Sequence, residues 1–150
     1  MNAMRQRGTT TVEFAIVGML TLVLLFTVIE FGRILFSLNV LDESARRAAR
    51  VAAVCPVGDA AVGAAATFVS LPNLTLANVV TEYLDQNGAP LGDPAGSDWG
   101  LIRYVRVRLI DYAFPIAIPL IAATFTAPEI SSTLPSESLG VPFFGAAPAC

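Results

Sequence analysis

The sequence predicts an α+β fold: one long N-terminal helix, membrane-spanning in its first half and a stalk in its second, packed on a small antiparallel β-sheet domain. Three observations carry this expectation. Residues 14–29 (FAIVGMLTLVLLFTVI) hold no charged side chain. Residues 41–54 (LDESARRAARVAAV) place Asp42/Arg46 and Glu43/Arg47 at i,i+4 with the acid first, among strongly helix-forming alanines. Residues 105–110 alternate Val105, Val107 and Leu109 with Arg106, Arg108 and Ile110, the period of a half-buried strand.

The helix is expected from about Thr10 to about Val54. Its charge-free core is a little short of the ~20 residues that cross a bilayer. Glu30 and Arg33, three residues apart, can neutralise each other where the helix leaves lipid, and Ile34, Leu35, Phe36, Leu38, Val40 and Leu41 continue the apolar pattern. A partner-binding role for that pair stays open beside the intrahelical one. The basic head (MNAMRQRG) looks like the start of a secretory signal. The apolar core, however, runs into EFGRILFSLN, where Phe31, Arg33 and Phe36 occupy the places of small cleavage-site residues. The segment is therefore expected to stay in the mature chain. The alanines at 45, 48, 49, 52 and 53 can pack against a neighbouring helix or against the chain's own domain. Pro56 ends the helix.

Residues 56–73 (PVGDAAVGAAATFVSLPN) read as a short second helix, started near Asp59 and ended by Pro72, with Val62, Ala65, Ala66 and Val69 on one face. VVTEYLD (79–85), before an Asn87-Gly88 turn, is expected as a strand, with a short helix as the alternative. GSDWGLIRYVRVRLIDYAF (96–114) is the clearest strand, and its three arginines read as a solvated outer face rather than an anion site. IAATFTAPEISST (121–133) is a further strand interrupted by Pro128. LPSESLGVPFFGAAPAC (134–150) reads as an irregular arm whose VPFF needs cover.

One hundred and fifty residues give room for one domain. A net charge of −3, with no Lys/Arg cluster interleaved with aromatics, gives no reason to expect nucleic acid. The chain has no histidine, no Cys-x-x-Cys, no Gly-x-Ser-x-Gly and no P-loop, so no catalytic residue, metal site or cofactor is expected. Asp93 and Asp98 lie in a Gly/Pro-rich loop that turn chemistry explains. Cys55 and Cys150 can form one disulfide if that part of the chain meets an oxidising compartment.

Glu13 poses the sharpest question, because an acid at the mouth of an apolar span is costly without a partner. Gly8, with Glu13 five residues later, Phe14 next and a basic leader before, resembles the processing site of type IV prepilins and pseudopilins. The pattern Gly-x-x-x-x-Glu-[Tyr/Phe] is closest to the Flp/Tad branch. Residues 7–50 extend the likeness to the TadE-like domain through IEFGR (29–33) and the Ala/Arg-rich end. Position 18 is glycine where many relatives carry proline, so a straighter helix is expected.

The resemblance implies a pilin-like chain cut between Gly8 and Thr9 by a prepilin peptidase. Residues 1–8 would be leader, 9–54 the transmembrane and stalk helix, and 55–150 an extracytoplasmic α+β domain. It implies a single pass through a bacterial inner membrane with the N-terminus cytoplasmic, although Arg33, Arg46, Arg47 and Arg50 beyond the span leave the raw charge count undecided. It implies a minor pilin or pseudopilin of a Tad-type pilus or secretion apparatus, with other pilin subunits and the Tad machinery as partners. Major pilins of the Flp kind are far shorter. The cut would free an amine at Thr9, cationic at neutral pH (pKa about 8), to answer Glu13 during assembly. The alternative for Glu13 is a first-turn acid favoured by the helix dipole. The alternative for the chain is a membrane-anchored binding module that never assembles. The resemblance is silent on a Cys55–Cys150 bond.

Overall fold

The computed structural model describes residues 3–68, 71–118, 122–141 and 150, with side chains from residue 9 onward. Helix α1 runs unbroken over Ala3–Val54, 52 residues. It starts several residues before the expected Thr10, because nothing in residues 3–9 stops a helix that the following segment propagates. The chain divides into two compact units. One joins Ser37–Phe114 with Thr126–Cys150, and the other joins the helix up to Phe36 with Pro115–Phe125.

In the first unit the stalk half of α1 packs on an antiparallel sheet. Leu41, Ser44, Ala45, Ala48, Ala49 and Ala52 are all buried, spaced by three and four residues along one face. Alanines let the helix approach closely, and this face is taken up by the chain's own domain. Strand β1 (Val79–Leu84) pairs with β2 (Tyr104–Leu109), and β2 pairs with β5 (Ile130–Pro135), giving the order β1-β2-β5. Val105, Val107 and Leu109 of the central strand point inward and are at most 2% exposed. Arg106 and Arg108 point to the other face, opposite Glu82, Thr133 and Ser131 in the register.

Helix α2 (Ala60–Ala66) is capped by the Asp59 carboxylate, which accepts from Ala61 N at 2.8 Å. It stops well before Pro72. Thr67 closes it by turning both its N–H and its hydroxyl onto Gly63 O. Val62 and Ala66 are its buried residues, while Val69 lies outside the described residues. The Asn87-Gly88 turn is built on Asp85, whose Oδ1 accepts from Asn87 N and Ala89 N, with Gly88 at φ +80°. Asp93 and Asp98 bind backbone: Asp93 N donates to Asp98 Oδ2 and Ser97 N to Asp93 Oδ2.

The interrupted strand at 121–133 is two strands in two sheets. Thr124–Thr126 (β4) pairs with Ala113–Pro115 (β3), and Ile130–Pro135 joins the main sheet. Pro128 lies at the break. The stretch 96–114, expected as one strand, is likewise two, with β2 confined to Tyr104–Leu109 and β3 taking up the far end in the second sheet. Of the VPFF stretch, Val141 is exposed and Pro142, Phe143 and Phe144 lie outside the described residues.

The end of α1 is closed by a distant segment. Its last carbonyls have no intrahelical partner, and Ala53 O accepts from Glu137 N at 2.9 Å while Val54 O accepts from Gly140 N at 2.7 Å and Ser138 Oγ at 3.1 Å. Gly140 sits at φ +78°, and a Cβ there would strike the Pro56 ring and come within 2.9 Å of its nitrogen.

Candidate functional site: the apolar half of the helix

From Thr9 to Ile29 the helix is bare. Phe14 is 78% exposed, and Val17, Leu20, Leu24 and Val28 are also open. It is the one helix among the described residues long and apolar enough to cross a membrane, and none of its most apolar window is buried. Thr21 and Thr27 satisfy their own hydroxyls by donating to Val17 O and Val23 O at 2.9 and 2.8 Å. That back-bonding lets a polar side chain face lipid without an unpaired donor. At Gly18 an added Cβ would meet nothing, and Phe14, Ala15, Met19, Leu22, Val23 and Phe26 surround this shallow notch.

Gly8, Thr9, Glu13 and Phe14 all lie within the early turns of α1. Thr9 and Glu13 are four residues apart, so one helical turn separates the backbone nitrogen of Thr9 from the carboxylate-bearing position. Glu13 is exposed and takes part in none of the ion pairs among the described residues.

Glu30 is different. It is 4% exposed on an otherwise apolar stretch. Arg33 Nη2 reaches Glu30 Oε1 at 2.7 Å and also donates to Pro115 O at 2.6 Å. The guanidinium therefore serves the helix acid and a carbonyl 82 positions away at once. The i,i+3 spacing makes the pair visible in the sequence. The carbonyl contact has no sequence signal, because any residue type offers a carbonyl.

Other charges are structural. Arg108 forks onto Glu129, with Nε to Oε1 at 2.6 Å and Nη2 to Oε2 at 2.8 Å, and its Nη1 meets Glu82 Oε1 at 2.7 Å. These contacts raise the Arg108 pKa and hold the Glu129 carboxyl below the usual carboxylate range. The outer face of β2 is thus a cross-strand ion network as well as a wet surface. It carries two arginines, since Arg103 precedes the strand and caps Gly100 O and Ile102 O. Arg47 similarly depresses Glu43, and the Ala89 and Asn87 amides depress Asp85. Burial pushes the Tyr83 phenol up, while Gly58 N donates weakly to its oxygen at 3.4 Å. No group of three His, Cys, Asp or Glu among the described residues is placed to hold a metal ion.

Cys55 and Cys150 are joined, with Cα atoms 6.0 Å apart across 95 positions. The bond meets the chain one residue beyond the end of α1, beside the carbonyls that residues 137–140 cap.

No curated protein and no solved structure matches the chain. The apolar helix and the first turns of the stalk do have a match, and it begins at the glycine before Thr9: residues 8–50 fit the family model described as TadE-like protein.

Proposed function

We propose that the chain is a minor pilin-like (pseudopilin) subunit of a Tad/Flp-type pilus or secretion apparatus, cut after Gly8 by a prepilin peptidase and assembled through its N-terminal helix. The observation that carries this reading is the coincidence of three features at one end of α1. The family match starts at Gly8, Glu13 follows five residues later, and the helix beyond is bare and apolar over four turns and more. A surface of that kind needs lipid or neighbouring helices to cover it. In this reading the span sits in the bacterial inner membrane with the N-terminus cytoplasmic and residues 55–150 outside. The new Thr9 amine and Glu13, on the same chain or a neighbour, form the ion pair that relieves a buried acid. Leaving one half of such a pair costs about 3–5 kcal/mol.

N-terminal sequencing of the protein from membranes that contain the peptidase should begin at Thr9. Gly8→Leu should block the cut, because a bulky side chain replaces none where the peptidase grips the backbone. Glu13→Ala should leave insertion and processing intact, since it only makes the segment more apolar. It should abolish co-purification with other pilin subunits. Glu13→Asp should retain part of that assembly and Glu13→Gln little of it. A mature chain beginning at Met1 overturns the processing step. Wild-type assembly of Glu13→Ala overturns the role of the acid and favours a membrane-anchored module that works alone.

A further inference from the structure

We propose that the β3–β4 excursion, residues 115–118 and 122–125, lies in the outer interface of the membrane, as a second lipid contact beside the spanning helix. The proposal rests on the reading of α1 as a membrane span. Between Asp111 and Glu129 the chain carries no charged residue. Such a run inside a water-facing domain would be buried, yet Pro115, Ala117, Ala122, Ala123 and Thr124 are exposed, and Ile116 and Ile118 are only half-buried. The segment groups with the helix up to Phe36 in one compact unit.

Its depth follows from the Arg33 contact. Phe14 to Arg33 is nineteen steps at about 1.5 Å each, close to the ~30 Å of hydrocarbon. With Phe14 at the inner boundary, Arg33 stands at the outer one. The 2.6 Å bond from Arg33 to Pro115 O fixes the base of the excursion at that level. Phe31, Leu35 and Phe36 are exposed on the helix on either side of Arg33, so apolar surface continues there and calls for the same cover. The backbone also suits an interface. Ile116 N donates to Ala123 O at 2.9 Å, Pro115 has no N–H to satisfy, and its carbonyl is taken by Arg33. The remaining polar groups can reach headgroup water, which the hydrocarbon core would deny them.

The test uses full-length protein at one copy per nanodisc of phosphatidylethanolamine and phosphatidylglycerol with brominated acyl chains. Trp99, the only tryptophan, reports on the outer domain in the wild type. In a Trp99→Phe background, Ala117→Trp and Ala123→Trp place the probe on the two arms at exposed positions, and Val28→Trp places it in the span. Emission from 117 and 123 should be blue-shifted, quenched by bromines near the headgroups and protected from acrylamide. Wild-type Trp99 should be open to acrylamide. Probes at 117 and 123 that behave like Trp99 while Val28→Trp is quenched would overturn the proposal and leave the span standing. Lack of quenching at 28 would remove the span and the proposal with it. Protection at 117 and 123 that needs several copies per disc would assign this surface to a second subunit and also overturn it.

Discussion

Arg33 and Glu30 form one ion pair, but the two residues have unequal stakes in it. Glu30 is 6% exposed at its side chain and Arg33 is 46% exposed. Removing the arginine strands a buried acid, whereas removing the acid leaves a cation that water and Pro115 O still serve. Arg33→Leu should therefore destabilise the protein by about 3–5 kcal/mol in detergent, and Glu30→Gln by much less. Denaturant unfolding followed by near-UV circular dichroism orders the two. Ser44 gives the opposite case. It is 2% exposed among the stalk alanines, and its hydroxyl has no hydrogen-bond partner among the described residues. Ser44→Ala should raise stability by about 1 kcal/mol, since it removes an unpaired buried hydroxyl and improves helix propensity. A fall in midpoint would mean that the hydroxyl has a partner after all.

At the scale of elements, the central strand carries a pH signature. The folded domain depresses Glu129 through Arg108, Glu43 through Arg47, and Asp85 through turn amides. A depressed folded pKa adds stability above the unfolded value, and that stability is lost as pH falls through the folded one. The domain should thus weaken below the ordinary carboxylate range, at about pH 4. Glu129→Gln should flatten that acid limb by lowering the midpoint slightly at pH 7 and leaving it nearly unchanged at pH 3, the loss being small because the pair is partly exposed. Thermal unfolding between pH 3 and pH 7 reads both. The same strand shows why parts of the fold are legible in the residues. Val105, Val107 and Leu109 alternate with arginines, and α1 announces itself by a charge-free run followed by i,i+4 pairs. Strands β3 and β4 are three residues each, in a proline-bearing apolar run with no alternation, so their pairing is set by tertiary contacts that the sequence does not spell out. The same holds for the Arg33–Pro115 contact and for the end of α2, where Thr67 halts the helix before any proline.

On the scale of the whole chain, the Cys55–Cys150 bond closes a loop across 95 positions. A crosslink of that span lowers the entropy of the unfolded chain, a contribution of about 2–4 kcal/mol in typical cases. Cys150→Ser, like reduction of the wild type, should lower the unfolding midpoint of the sheet-bearing domain without altering membrane retention. Unchanged midpoints with and without reductant would show that the crosslink contributes nothing to stability.

The capping of α1 by residues 137–140 also sets an order of events. The helix is made early, yet the carbonyls at Ala53 and Val54 wait for amides that are synthesised more than eighty positions later. Until Gly140 has been made and has reached the helix end, the carbonyls of Ala53 and Val54 lack these partners and the Pro56 corner stands open. A released chain truncated just before Gly140 would hold its span and its strands with this corner unlatched. Unfinished and finished copies would therefore differ in how open the backbone is just past Val54.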